Sequence, residues 1–323
     1  MMNPILKNHL CKLPVGTVIV GKWHNHAYKI VKPLGSGANG AVYLAESMKG
    51  LVAIKLSDNG TSITSEVNVL KRFSKVQGAA LGPSLLDMDD WFDPYTNRAI
   101  PFYVMEYIKG EEFFSFIKKR GKEWIVILVL QLLSALDQLH EEGWVFGDLK
   151  PENLLVAGMP PTVRLLDVGG TTLQGRAIKE FTEFYDRGYW GLGSRKADPA
   201  YDLFAVAMIM IHACYPLKFE RKENTRQQLF TMIRADATLR KYQNVLMKAI
   251  DGAYKRAIDM KRDLVAAIHH DDLPSKPFVA PKQSSSRKQH HKKSKKRSGV
   301  LETAFIVVTL LCVYALYLYG QIL

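Results

Sequence analysis

Asp148-Leu149-Lys150-Pro151-Glu152-Asn153 and, after an apolar run, Asp167-Val168-Gly169 carry the residue types with which chemistry could be done. Asp148 is an acid able to take a proton from a hydroxyl, and Lys150 is a cation two residues on. Asn153 and Asp167 supply an amide and a carboxylate, oxygen ligands of the kind that hold Mg²⁺. These are the parts that phosphoryl transfer needs, since it asks a protein for alignment and charge stabilisation rather than covalent work. Upstream, Gly35, Gly37 and Gly40 make a G-x-G-x-x-G run, Lys55 closes Leu51-Val52-Ala53-Ile54-Lys55, and Glu66 follows. Glycines let a turn bring backbone N–H groups close to phosphate oxygens. A lysine at a strand end contacts such oxygens provided a carboxylate holds it.

Those residues need particular elements to position them. Residues 28–34 alternate weakly and read as a strand entering the glycine run, with a second strand from Val42 to about residue 46. A glycine run between two strands, rather than before a helix, argues against a dinucleotide-binding fold, although by itself it is also met in ordinary hairpins. Ile63, Val67 and Leu70 mark the inner face of a helix reaching to about residue 76, with Glu66 beside that face and a compact connection back to Lys55. Residues 102–110 read as a buried strand passing into a linker. Backbone groups near Glu106 and Ile108 would meet an adenine edge, and Glu111 or Glu112 would reach a ribose or a basic substrate. The dense apolar pattern over 124–140, interrupted by Gln131, Ser134, Asp137 and Gln138, suits a helix buried in protein rather than in lipid. Asp202 precedes nine apolar residues and reads as the N-cap of a second buried helix. Residues 224–270 are mostly helical with a break at Gly252, and Pro274, Pro277 and Pro281 end the fold.

Composition excludes a disordered chain: of 323 residues, 47% are hydrophobic and 23% charged. The net charge of +13 is uneven, because residues 276–297 hold nine Lys/Arg and no Asp or Glu, whereas the body up to residue 275 carries +5. Cys11, Cys214 and Cys312 have no C-x-x-C spacing, which points to a reducing compartment without structural zinc, the thiols packing in the core or facing lipid. The first residues offer no apolar core of signal-peptide length. Residues 303–323 carry no charge and place Tyr314, Tyr317 and Tyr319 towards the far end, the pattern of a membrane-spanning helix with interfacial aromatics. The preceding basic run predicts a single-pass tail anchor with the whole body cytoplasmic.

Glycine run, Val-Ala-Ile-Lys, helix glutamate, Asp-x-Lys-Pro-Glu-Asn and Asp-x-Gly, in that order over about residues 27–270, resemble the Hanks-type (eukaryotic-like) bacterial serine/threonine protein kinases. With its basic linker and bare C-terminal anchor the chain is most similar to the membrane-anchored kinases of spore-forming bacilli, which implies a bacterial cell membrane location and a place in sporulation. The resemblance implies an α+β, two-lobed fold. Its parts would be an N-terminal extension (1–26), a small β-rich N-lobe (27–105), a large mainly helical C-lobe (106–273), a basic flexible linker (274–300) and a transmembrane tail anchor (301–323). It implies ATP and Mg²⁺ as cofactors, and transfer of the γ-phosphoryl group to Ser/Thr hydroxyls of cytoplasmic proteins and of the kinase itself. Carried over, Leu34, Gly35, Gly37, Gly40 and Val42 would cover the nucleotide, Lys55 would hold its phosphates with Glu66 orienting the lysine, and Glu106 and Ile108 would frame the adenine. Asp148 would be the base, Lys150 would neutralise the transferring group, and Asn153 and Asp167 would ligate Mg²⁺.

Three departures set the chain apart from that pattern. The His-Arg that usually precedes the base is Phe146-Gly147, so the arginine that binds an activation-loop phosphate is missing, although Thr171, Thr172 and Thr182 are available for phosphorylation. Val168 stands for the Phe of Asp-Phe-Gly, and Gly191-Leu192-Gly193 occupies the place of Ala-Pro-Glu. Gly147-Asp148 without Ala-Pro-Glu also resembles small-molecule phosphotransferases of the aminoglycoside and choline kinase type, and a catalytically inactive membrane scaffold is a third reading. Lys150 and the complete Lys-Pro-Glu-Asn favour the protein kinase.

The basic run contains Arg287, Lys288, Lys292, Lys293, Lys295, Lys296 and Arg297. Beside a membrane helix, each such residue contributes about 1 kcal/mol of attraction to anionic lipid. The same residues would neutralise DNA phosphates, and engaging about six gives a log–log salt slope near about −5, independent of sequence. The expectation is that DNA bound there brings kinase molecules together and activates them in place of the missing loop-phosphate switch.

Overall fold

The computed structural model describes residues 8–37, 40–73 and 82–271; the basic linker, its lysines and arginines and the expected membrane helix lie outside the described residues. The N-terminal part is a six-stranded antiparallel sheet built from β1 (Val18–Val20), β2 (Ala27–Gly37), β3 (Gly40–Ser47), β4 (Gly50–Leu56), β5 (Leu85–Asp93) and β6 (Arg98–Glu106). Its strand order is β1-β2-β3-β4-β6-β5. Alternate side chains, among them Ile30, Tyr43, Ala45, Ile54, Phe102 and Val104, point into one apolar core, as the two-residue period of a strand dictates. The Lys22 N–H donates to the Asp90 carbonyl at 2.8 Å and Gly21 bridges Trp91, so the β1 end of the sheet meets β5. Part of the stretch before residue 27 therefore belongs to the sheet. Leu10 is fully buried, and the buried Tyr43 hydroxyl donates to the Leu10 carbonyl at 2.7 Å while accepting the Leu13 N–H at 3.1 Å.

The turn between β1 and β2 is pinned to β5 by Asp87, which accepts from the Tyr28 hydroxyl at 2.6 Å and bonds the rings of His24 and His26. Burial would raise the Asp87 carboxyl, but the Tyr28, His26 and His24 bonds outweigh it and hold the group down at about 2, below its usual 3.8. A depressed carboxylate binds fewer protons folded than unfolded, so its stabilisation is complete above about pH 4 and is lost as pH falls through about 2. Asp87→Asn is expected to remove about 1–2 kcal/mol at pH 7 and to flatten the acid-unfolding profile between about pH 4 and pH 2, measured by denaturant titration across that range.

Helix α1 (Gly60–Phe73) packs on this sheet, burying Ile63, Val67, Val69 and Leu70; Glu66 is itself inside, at 2% exposure. The rest of the body is mainly helical: α2 (Phe113–Arg120), α3 (Glu123–Glu141), α4 (Pro199–Cys214), α5 (Thr225–Ala235), α6 (Ala237–Lys241), α7 (Gln243–Ile250) and α8 (Ala257–Asp271). Short strands β7 (Gly110–Glu112), β9 (Leu154–Ala157) and β10 (Thr162–Leu165) form one small sheet, and β8 (Trp144–Val145) pairs with β11 (Thr172–Leu173). Among the described residues α3 alone is long and apolar enough to cross a membrane, but its apolar side chains form the core of the helical lobe. Its polar residues are used to fix neighbours. Gln131 receives the Val163 N–H at 2.8 Å and donates to the Pro161 carbonyl at 3.1 Å, and Asp137 receives the Ile258 N–H at 3.0 Å.

Helix α4 corrects one reading. It starts at Pro199, with Asp198 at the N-cap position and proline at the first helical residue, so Asp202 is no cap but lies inside the first turn. The helix is buried on every side from Ala200 to His212, and Asp202, fully buried, turns towards the catalytic stretch.

Candidate active site

β4 carries Lys55 inward, and its ammonium meets Glu66 of α1 at 2.6 Å and Asp167 at 3.5 Å. Burial would push that ammonium down, yet the carboxylates of Asp167 and Glu66 outweigh it and raise it above its ordinary value, so the lysine stays charged inside the cleft. Glu66 is held on both oxygens: besides Lys55, Oε2 accepts from the Tyr103 hydroxyl at 2.8 Å, and Oε1 accepts from Ser62 at 3.0 Å. Val168 is buried in the cluster that includes Leu70, Phe73 and Tyr103, so the smaller side chain keeps its packing role beside α1.

Asp148 sits on the loop between β8 and β9. Lys150 pairs with Oδ2, and the Thr182 hydroxyl donates to Oδ1 at 2.9 Å while accepting from the Lys150 ammonium at 3.2 Å. Asn153 donates from Nδ2 to the Asp148 carbonyl at 2.9 Å, which leaves its amide oxygen as the atom for a cation. The loop itself hangs from Asp202, whose Oδ2 accepts the Phe146 N–H at 2.8 Å and bonds His140 Nε2 at 2.9 Å, and whose Oδ1 accepts the Gly147 N–H at 2.9 Å. Gly147 adopts φ +83, and a Cβ there would stand 2.7 Å from the Gly170 carbonyl, so the backbone of the Asp167 loop occupies the space a side chain at 147 would need.

A cleft of about 850 Å³ brings Gly35, Gly37, Gly40, Val42, Lys55, Asp148, Lys150, Asn153 and Asp167 to one space, together with Ser36, Glu152, Lys179, Glu180, Phe181 and Thr182. Gly40, at φ +140, lets β3 leave the turn where a Cβ would strike the Leu56 carbonyl, whereas Gly35 and Gly37 face open space. A triphosphate with Mg²⁺ fits this donor set: open glycine backbone above, one buried ammonium, and an amide and a half-exposed carboxylate opposite. Leu34, Glu106 and Ile108 are not among the residues lining the cleft. The Glu106 carboxylate turns to Arg164 at 2.9 Å and its N–H to the Ser84 carbonyl at 2.8 Å, so the side chain serves the body and only its carbonyl is left for an adenine. Glu111 is paired with Lys119 at 2.5 Å rather than reaching for a ribose.

The segment after Asp167 is held by side-chain and backbone bonds. Thr171 and Thr172 are buried at 1% exposure and Thr182 is engaged at Asp148, so none of the three hydroxyls is free for modification in this arrangement. Ion pairs flank Gly191-Leu192-Gly193, which stands where the resemblance places Ala-Pro-Glu. Asp186, buried, pairs with Arg195 at 2.7 Å and accepts from the Tyr201 hydroxyl at 2.9 Å, while Arg187 pairs with Asp198 at 2.7 Å. Backbone bonds from Gly175 to Ala197 at 2.8 Å, Ala197 to Arg176 at 2.7 Å and Ile178 to Arg195 at 2.9 Å tie residues 175–178 to 195–197. Asp202 thus supports the catalytic loop rather than capping the helix, and Thr182 bonds Asp148; each meets the loop only across a long stretch of chain.

A β-rich lobe presenting a paired lysine, a helical lobe presenting Asp148, Lys150, Asn153 and Asp167, and a cleft between them define a protein kinase. The protein kinase domain family matches residues 28–277, and the chain belongs to that family. It is a serine/threonine-protein kinase, as its likeness to a bacterial relative makes plain: it is 47% identical to serine/threonine-protein kinase YabT of Bacillus subtilis (strain 168), over 98% of each chain. More distantly it is 25% identical to an Aurora kinase of Eremothecium gossypii, over 71% of this chain and 65% of that one. A solved structure of vaccinia related kinase 3 matches at TM-score 0.59 and 18% identity, covering 82% of this chain and 94% of that one, a likeness of fold.

The Thr182 contacts give a direct expectation. Thr182→Val removes a hydrogen bond to each of two charged groups, worth about 1.5–3 kcal/mol apiece when intact. The variant is expected to lose about 10–100-fold in kcat with little change in KM for ATP, and Thr182→Ser to recover most of it. Equal loss in both variants would show that the hydroxyl is not what matters.

Proposed function

We propose that this kinase is tethered to the bacterial cell membrane by residues 301–323, with the catalytic body of 27–273 and the basic linker of 274–300 in the cytoplasm, and that it phosphorylates Ser/Thr hydroxyls of cytoplasmic proteins and of itself. The single observation that carries the catalytic assignment is the joint grip of Lys150 and Thr182 on Asp148, which aims a carboxylate into a cleft lined by Lys55, Asn153 and Asp167. Asp148 takes the proton of the incoming hydroxyl, and Lys150 lies where charge develops on the transferring group. Lys55, fixed by Glu66, binds phosphate oxygens, and Gly35, Gly37 and Gly40 approach them with backbone N–H groups. Asn153 and Asp167 would hold Mg²⁺, which when bound neutralises charge on the phosphates. Val42 lines the cleft, and backbone groups at Leu34, Glu106 and Ile108 would complete the nucleotide site around the base.

The basic run from Arg287 to Arg297 is assigned to contact with anionic lipid or, without sequence preference, with DNA, and DNA held there gathers kinase molecules and raises their activity. The absence of an arginine at Gly147 supports control by something other than a loop phosphate. A place in sporulation is part of this proposal, supported by the likeness to the Bacillus subtilis kinase.

The test is incubation of the full chain in detergent with labelled ATP and Mg²⁺, beside Lys55→Ala, offering protein and small-molecule acceptors. Label on Ser/Thr of protein, absent from the variant, supports the proposal, and label confined to a sugar, choline or aminoglycoside overturns it. Duplex DNA at low salt should raise autophosphorylation, and neutralising the seven basic residues should abolish that rise. A rate indifferent to DNA would remove the activation step.

A further inference from the structure

On the N-lobe, His24, His26 and Asp87 converge at a place the phosphoryl-transfer chemistry does not use. His24 Nδ1 stands 2.7 Å from Asp87 Oδ1 and His26 Nδ1 stands 2.8 Å from Asp87 Oδ2. One ligand atom from each of the three residues lies within 4.8 Å of the others. We propose that these three residues form a binding site for one divalent transition-metal ion of the zinc class, separate from the Mg²⁺–ATP cleft.

Zinc takes imidazole nitrogen and carboxylate oxygen at about 2.0–2.2 Å in a tetrahedron, which sets its ligand atoms about 3.3 Å apart. The present spacings need only small side-chain rotations to reach that arrangement. Two imidazoles with one carboxylate select zinc-class ions over Mg²⁺ or Ca²⁺, which prefer oxygen alone. The His24 and His26 side chains are 53% and 62% exposed, so an ion can enter and a water can complete the shell.

The backbone beneath the site is already fixed. Asp89, buried, accepts the Trp23 N–H at 3.0 Å and the His24 N–H at 2.8 Å. Asn25 takes φ +57, and the Gly21 N–H donates to the His26 carbonyl at 2.9 Å, so the turn sets both histidines on one side. The Tyr28 hydroxyl, bonded to Asp87 Oδ2 at 2.6 Å, orients the carboxylate as an outer-shell partner does in metal sites. His26 immediately precedes β2, whereas the glycines lie at the far end of that strand, about 30 Å away at 3.3 Å per residue. The ion would therefore fasten the β1–β2 turn to β5 without touching the cleft.

The full chain, freed of metal in detergent, is titrated with Co²⁺ and then Zn²⁺, following the visible absorption of four-coordinate cobalt and its displacement. The wild type is expected to bind one equivalent that His24→Ala/His26→Ala loses. Asp87→Asn, which keeps the shape of the side chain, should bind about 100-fold more weakly, and Tyr28→Phe about 10-fold more weakly with unchanged stoichiometry. Phosphorylation of a protein acceptor by the double variant, within about twofold of wild type, serves as the check that it has folded. A wild type with no four-coordinate cobalt spectrum overturns the proposal, as does a folded double variant with wild-type affinity and stoichiometry.

Discussion

Asp148→Asn is expected to lower phosphoryl transfer by about 10²–10⁴-fold, the range that a positioned general base supplies, while leaving ATP affinity and folding nearly unchanged. The substitution keeps the side chain's shape and leaves an oxygen to accept the Thr182 hydroxyl, but removes the charge that takes the proton and that pairs with Lys150. That ion pair is partly exposed, so its loss costs the fold less than about 1 kcal/mol. Single-turnover rates with Ser/Thr protein as acceptor, beside a nucleotide-binding measurement, separate the two effects. A variant within tenfold of wild type in rate would mean that Asp148 is not the proton acceptor.

Asp202→Ala should act through the fold of the loop. It strips the acceptor from the Phe146 and Gly147 N–H groups and from His140, all within a fully buried pocket. Removing one partner of a buried charged network costs about 3–5 kcal/mol, and orphaned N–H groups cannot turn to water there. For a body of this size each kcal/mol shifts Tm by about 2–4 °C, so a fall of roughly 10 °C is expected in thermal melts, with activity lost even below the new Tm because Asp148 is no longer aimed. Asp202→Asn, which keeps one acceptor oxygen, should fall between wild type and alanine. A Tm within about 2 °C of wild type in Asp202→Ala would show that the loop is held otherwise.

Gly147 marks where the missing loop-phosphate arginine changes the architecture. Its positive φ and the Gly170 carbonyl beside it leave no room for a side chain without moving the Asp167 loop. The segment is held instead by the β8–β11 pair, the bonds between 175–178 and 195–197, and the Asp186–Arg195 pair. Ile178 packs beside Val145, Ala197 and Tyr201 in the same region. None of these contacts requires a phosphate.

The sequence alone determined what local pattern can encode. The glycine turn between strands, Lys55 at a strand end, the buried helix at 124–140 and the stretch from Asp148 to Asn153 are each set by neighbours a few residues away, through strand alternation, helical spacing and turn chemistry. Only the tertiary structure decided the rest: Asp202 as the support of the catalytic loop rather than a helix cap, Thr182 as a partner of Asp148, and residues 18–21 as part of the sheet. The physical reason is common to all three. A buried carboxylate, a hydroxyl or an edge strand takes its role from the polar groups it must satisfy across the fold, and those partners lie tens of residues away in the chain.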